Sequence, residues 1–287
     1  MGPVARMLAD QRRLHLQHGP IDLIIEAFGP EADVRRAYQQ AQTAFATVLD
    51  DLVLELPLLR KPVESEPQGQ IARAMWAATF PFSPEFITPM AAVAGSVADH
   101  ILAAMLENNV LSRAYVNNGG DIALHLAEGA FTVGICDDPA TGAAGGTVTI
   151  RPDDRIGGIA TSGWRGRSFS LGIADAVTVL AQNAACADAA ATMIANRVDL
   201  PGSAKIRRAP ADSIQPDNDL GSRAVTTAVG DLDDGEIDTA LDGGVTAAQH
   251  YLSRGLIRAA YLSLAGHRRA MPETINNHHI RGSVTNG

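Results

Sequence analysis

Cysteine is nearly missing from this sequence: Cys136 and Cys186 are the only two. So small a number cannot build the disulfide framework of a small secreted domain, and the spacing suggests no zinc site. Aromatic residues are only 5% of the chain, so close backbone packing by its abundant alanine and glycine is expected to replace large side chains in the interior. Basic charge is also scarce. The 23 Lys and Arg are outnumbered by 32 Asp and Glu, giving a net charge of −9, and no Lys/Arg stripe is interleaved with aromatics, which argues against a nucleic-acid partner. The opening "MGPVARMLADQRRLHLQHGPIDL" never offers the uninterrupted apolar core of a signal peptide. No run is expected to reach the roughly 18 apolar residues of a membrane span. Together these absences give the expectation of a reduced, soluble, cytoplasmic protein with neither a membrane nor a nucleic-acid partner.

The apolar content, 46% against 19% charged, is that of an ordinary globular chain. A length of 287 residues suits one large domain or two small ones. "IDLIIEAF" (Ile21 to Phe28), ended by Gly29-Pro30, reads as a strand. Val34, Tyr38, Ala41, Phe45, Val48 and Leu52 recur at three- and four-residue steps up to Pro57, which predicts an amphipathic helix. Further helices are expected over Gln70 to Ala78 and Pro89 to Glu107. The middle changes character: "AYVNNGGDIALHL", "FTVGIC", "TVTIRP", "IGGIATSG" and "DAVTVLA" are short β-branched runs separated by Gly, Asp and Pro, read as neighbouring strands. An Ala-rich helix follows, then a polar excursion from Pro201 to Ser222. "SRAVTTAVG" reads as a strand, "GEIDTALDGGVTAAQHYLSRG" as a helix with a Gly pair inside, and "GLIRAAYLSLAG" as a final strand. The expected fold is α+β: a single domain over residues 1–268, a mixed sheet flanked by long Ala-rich helices, and a polar, flexible tail over 269–287.

Within "AQNAACADAAATMIANRV" (Ala181 to Val198), Asp188 and Thr192 are four residues apart, so on a helix they share one face. Two readings compete. A carboxylate and a hydroxyl are hard oxygen donors suited to Mg²⁺ or Ca²⁺. Alternatively, Asp188 is an acid favoured by a helix dipole and Thr192 bonds to backbone. "VNNGGDIALHL" holds the ingredients of a tight hairpin turn, or of a site where Gly119 and Gly120 let backbone approach a ligand while Asn117, Asn118 and Asp121 supply polar groups. "GGIATSGWRGRSFS" offers Thr161, Ser162, Gly163, Arg165, Arg167, Ser168 and Ser170, groups that suit a phosphate or carboxylate, or an exposed polar loop. It has neither a P-loop lysine nor a G-x-S-x-G elbow. His15 and His18 lie close together in "RRLHLQHGP", but a three-residue spacing outside a helix makes a weak ligand pair. Cys186 reads as a small core residue.

The order of these segments resembles the ApbE-like superfamily, whose best-known members are FAD:protein FMN transferases. "GSVADHIL" (Gly95 to Leu102) is similar to their Lys-Gly-x-x-x-Asp helix, and "VNNGGDI" (Val116 to Ile122) to Asn-x-Gly-Gly-Asp. "IATSG" followed by "ADAAAT" resembles Thr-Ser-Gly and Ala-Asp-x-x-x-Thr. The whole chain looks most like an uncharacterised branch of that superfamily, sharing "HLQHGPIDL", "ITPMAAVAG" and "DLGSRAVT". The resemblance implies that Asp188 and Thr192 hold a divalent metal beside a FAD pyrophosphate. Two departures weaken the flavin implication. Ala94 stands where the transferases carry lysine, and their His-x-x-Asp-Pro-x-Thr-Gly segment is replaced by "RSFSLGIADAV". The "DPATG" at Asp138 to Gly142 precedes "TSG" and reads as a turn between strands.

Three functional readings follow. The first is a metal-assisted enzyme acting on a flavin, nucleotide or other phosphate-bearing small molecule, with Asp121 or the histidines His15 and His18 in catalysis. The second is a flavin-independent hydrolase or ring-opening enzyme of a small acid or amide. The third is a non-catalytic ligand-binding protein. Small-residue helices and many strands are also compatible with a homodimer.

Overall fold

The computed structural model describes residues 2–138 and 143–272. In chain order the strands are β1 (Val4–Met7), β2 (Leu14–His18), β3 (Ile21–Phe28), β4 (Arg113–Asn118), β5 (Asp121–Leu126), β6 (Phe131–Asp138), β7 (Ala143–Ile150), β8 (Gly158–Ser162), β9 (Ala176–Ala181), β10 (Ile206–Pro210), β11 (Ala224–Val229), β12 (Ala259–Leu264) and β13 (His267–Met271). The helices are α1 (Glu31–Leu59), α2 (Gln70–Thr79), α3 (Val93–Leu106), α4 (Ala184–Arg197), α5 (Ala211–Ile214) and α6 (Asp234–Ser253). The fold is α+β. It resolves into two compact units, the first made of residues 1–130, 151–160 and 181–189, the second of 131–150, 161–180 and 190–287. Strand β8 and helix α4 each contribute residues to both.

In the first unit, β1 pairs with β2, β2 with β3, β3 with β4, β4 with β5, and the start of β8 with β5. Every one of these ladders is antiparallel. The period of two sends Leu14, Leu16, Leu23 and Ile25 inward, all fully buried. Tyr38, Ala41, Phe45, Val48 and Leu52 form the buried stripe of α1. Burying a side chain the size of Phe45 stabilises by roughly 2–3 kcal/mol. One 18-residue stretch, Pro89–Leu106, is long and apolar enough to cross a membrane, against the expectation that none would be; half of it is buried inside the protein, as in a core helix.

In the second unit, β9, β12 and β13 form an antiparallel ladder, while β6 with β7 and β10 with β11 make two separate hairpins. Ile173, Val177, Val179, Ile194, Leu241 and Leu262 are buried here. The Gly pair of α6 has a packing reason. A side chain at Gly243 would meet the Arg197 carbonyl, and one at Gly244 would meet Val198 and Leu262.

The structure corrects several boundaries. The strands β1 and β2 and the β10–α5 pair were not read from the sequence, the latter lying inside the presumed polar excursion. The start of the expected tail, residues 269–271, belongs to strand β13 paired with β12. Residues 273–287, and Pro139 to Gly142 of "DPATG", lie outside the described residues.

Candidate functional site

Three segments singled out by sequence meet in the first unit: the start of α3, the β4–β5 hairpin and the start of α4. In the hairpin, Asn118 pairs with Asp121, so Gly119 and Gly120 alone make the turn. Both have positive φ, +65° and +115°, the signature of a tight hairpin connection that side chains disfavour. Asn117 locks it by accepting a hydrogen bond from the Gly120 amide at 2.8 Å. Asn118 is buried and donates through Nδ2 to the Ala94 carbonyl at 3.1 Å, fastening the hairpin to the first turn of α3.

Helix α3 opens with amides that have no partner inside the helix. The Asp188 carboxylate of α4 accepts from one of them, Gly95, at 3.0 Å. The exchange is mutual. The Asp99 carboxylate of α3 accepts from Ala184 at 3.0 Å and Ala185 at 2.8 Å, the first two amides of α4. The third, Cys186, donates to the Asn183 side chain at 2.8 Å. Gly95 lies at a close approach of α3 to the start of α4: a Cβ there would run into the Ala184 carbonyl oxygen and the Ala185 amide.

Burial is costly for both acids. It is the main force raising Asp99 to about 6, against which the Ala185 and Ala184 amides pull. Asp188 is pushed well above the usual carboxylate range, first by burial and next by the negative charge of Asp121, with the Gly95 and Ala94 amides opposing. Asp188 is half-buried by surface, yet its carboxylate is enclosed deeply enough for desolvation to dominate. Asp121, half-buried at the start of β5, is thus an electrostatic neighbour of Asp188.

Thr192 lies one turn beyond Asp188 on α4 and is half-buried. No three His, Cys, Asp or Glu side chains gather into an ion-holding group among the described residues. That donor set does not match an all-protein cage. It does fit Mg²⁺, which commonly takes one or two carboxylates and completes its shell with water and substrate phosphate. A cation at Asp188 would also relieve the repulsion between its carboxylate and Asp121.

The histidines are set apart from each other. A three-residue spacing on a strand places side chains on opposite faces, and β2 alternates accordingly. His15 bonds Asp22 at 3.1 Å and accepts from Arg6 at 3.2 Å. His18 is buried edge-on to Phe45, its Nδ1 without a partner. They do not form a pair.

The "TSG" segment belongs to the second unit except for its first residues. The Thr161 hydroxyl shares a 2.8 Å hydrogen bond with Thr178. Ser162 is half-buried. Gly163 is buried, and a side chain there would strike the Asp175 carbonyl. Arg165 donates from Nε to Asp175 at 2.7 Å. Arg167 and Ser168 are exposed. Ser170 is buried and tied into its own loop, its hydroxyl accepting from the Gly172 amide at 3.2 Å and its carbonyl from Thr226 at 2.9 Å. Sequence reasoning missed two residues of weight. Asp99 was visible only as part of a motif, and Asp175 was not singled out at all.

The family described as AbpE bacteria matches the chain over residues 5–270. A UPF0280 protein of Methanococcus vannielii is 42% identical over 113 residues, which are 38% of this chain and 45% of that one. One from Methanopyrus kandleri is 39% identical over 130 residues, 44% of this chain and 48% of that one. The chain spans about half the length of these curated relatives. Among solved structures, the ApbE protein of Thermotoga maritima aligns with a TM-score of 0.54 at 12% identity, covering 92% of this chain and 97% of that one, which establishes a shared fold.

Proposed function

This chain belongs to the AbpE bacteria family, and from that premise we propose that it is a cytoplasmic, metal-assisted enzyme acting on a flavin, nucleotide or other phosphate-bearing small molecule. One observation carries the reading. The hairpin, the α3 turn and Asp188 are drawn together through Asn118, Ala94 and Gly95, and these are the segments in which the ApbE-like resemblance lies.

Asp188, with Thr192 one turn along α4, would hold the divalent ion, whose chemistry is to neutralise phosphate and stabilise a leaving oxygen. Asp121 would take a proton from an attacking group. Asn117 and Asn118 are already spent on the turn and on α3, so their part is to hold Asp121 in place.

The test is thermal unfolding with FAD, FMN and ADP, each with Mg²⁺ and with chelator. A ligand at about 100 times its dissociation constant adds roughly 2.7 kcal/mol, several degrees. A magnesium-dependent shift supports the reading, and its loss in Asp188→Ala assigns the ion. A flat response to all three ligands with Mg²⁺ overturns the flavin and adenine-nucleotide reading.

One observation favours a second reading, a flavin-independent hydrolase of a small acid or amide. Ala94, whose carbonyl meets Asn118, stands where the resemblance expects a lysine, leaving no cation there for a pyrophosphate. This enzyme would ignore FAD and turn over a carboxylate-bearing substrate.

A further inference from the structure

We infer that Arg165 is a pre-oriented anion fork, built to receive the oxyanion end of a small molecule, a carboxylate or a phosphate monoester. This fork is independent of the proposed ion and of Asp188.

Arginine has five N–H donors in a rigid plane. Here the side-on donor, Nε, is used: it meets Asp175 Oδ1 at 2.7 Å. The four N–H groups on the two terminal nitrogens have no acceptor among the described residues, and the side chain is 38% exposed. The plane lies over the Trp164 ring, its central carbon 4.6 Å from the ring centroid. Stacking and the side-on bond together restrict the guanidinium, so little rotational freedom is left to lose when a ligand arrives. A planar fork facing outward matches the two oxygens of a carboxylate or phosphate.

The support beneath it is fully engaged. Asp175 is buried, 7% exposed. Besides Arg165 it accepts from Trp164 Nε1 at 3.3 Å and, through Oδ2, from the Ala265 amide at 2.7 Å. Each acceptor oxygen therefore has a fixed task, and Asp175 is not free to swing out and claim the terminal nitrogens. The backbone beside it is fixed as well, because a side chain at Gly163 would collide with the Asp175 carbonyl. An arginine serving only to neutralise a buried acid has no need to present its fork outward while engaging that acid through Nε alone.

The experiment titrates the intact chain, in chelator, with inorganic phosphate and separately with succinate, followed by calorimetry. Binding of either anion by the wild type is expected, and the tighter arm tells phosphate from carboxylate. Arg165→Met is expected to weaken the tighter anion at least tenfold. Arg165→Lys, which keeps the charge over buried Asp175 and protects the fold, is expected to weaken it several-fold because the plane is lost. Arg258→Met, an equal change of charge at an exposed site in the same unit, is expected to leave binding unchanged. Wild-type affinity in Arg165→Lys, an equal loss in Arg258→Met, or failure of the wild type to bind either anion overturns the inference. Because chelator is present throughout, failure here is separable from failure of the metal reading.

Discussion

Asp99 and Asp188 cap each other's helices. Asp99, on α3, takes the first amides of α4, and Asp188, on α4, takes an amide in the first turn of α3. Two negative carboxylates are thus held at two helix N-termini, where the dipoles favour them, in a setting whose burial disfavours their charge. The balance between those opposing effects governs how this part of the first unit responds to mutation and pH.

Gly95 is a tight point of the arrangement. Gly95→Ala places a methyl group against the Ala184 carbonyl and Ala185 amide, backbone atoms that can yield only if α3 and α4 move apart. Overpacking of this kind costs about 3 kcal/mol, and separation would also loosen both caps. Urea unfolding of Gly95→Ala should show that loss with the m-value unchanged. A change below about 0.5 kcal/mol would mean the helices are not held this close.

Asp99 gives a pH signature whose sign is fixed. Its folded value, about 6, lies above its ordinary value of 3.8, so between those pH values the native state binds more protons than the unfolded chain. Stability from this group is therefore fully present below about pH 4 and is lost as pH rises through about 6, by at most about 3 kcal/mol. Asp99→Asn keeps an acceptor for one amide and removes the titration. The stability difference, wild type minus Asp99→Asn, should fall between pH 4 and pH 7 by chemical denaturation. A difference that is constant or rises would contradict the direction of the shift.

How much of this was legible from sequence depends on how far apart the partners lie. The stripe of α1 was readable because Tyr38, Phe45 and Leu52 repeat within one helix, and the β4–β5 turn because Asn and Gly act on their immediate neighbours. The strand β1 was not readable, since all four residues are exposed and carry no alternation. In β2, polar His15 and Gln17 obscure the alternation of Leu14 and Leu16. Asp99 and Ala184 are 85 positions apart, so no local pattern announces that this acid caps a helix. Asp188 could be recognised as an anomaly, an acid in an Ala-rich helix. The helix it caps, α3 rather than its own, follows only from the packing. Likewise the candidate arginine was visible, but the residue that orients it was not.

The β4–β5 turn should respond to substitution through backbone strain. Gly119 has φ +65° and is exposed, so Gly119→Ala meets the penalty of a left-handed conformation, about 1 kcal/mol. Gly119→Asn, a residue better tolerated there, should recover part of that loss. Thermal melts of the two variants check the order; equal melting temperatures would show that the hairpin does not require positive φ at this position.

Asp188 stands in two roles, a cap on α3 and the proposed ion ligand, and two variants separate them. Asp188→Asn keeps an oxygen for the Gly95 amide while removing a charge that burial and Asp121 both oppose. Near neutral pH its fold should be at least as stable as the wild type. Asp188→Ala leaves the amide without its acceptor and should lose about 1–2 kcal/mol, the range for a lost helix cap. Both should lose stabilisation by Mg²⁺ in the presence of a nucleotide, because neither retains a carboxylate for the cation. Denaturation of the three proteins, each with and without Mg²⁺, gives both answers together. If Asp188→Asn keeps the full magnesium effect, Asp188 is a helix cap and the ion is held elsewhere. If Asp188→Asn loses it while its metal-free stability stays intact, the carboxylate is retained for the ion, at the expense of the stability that asparagine would give.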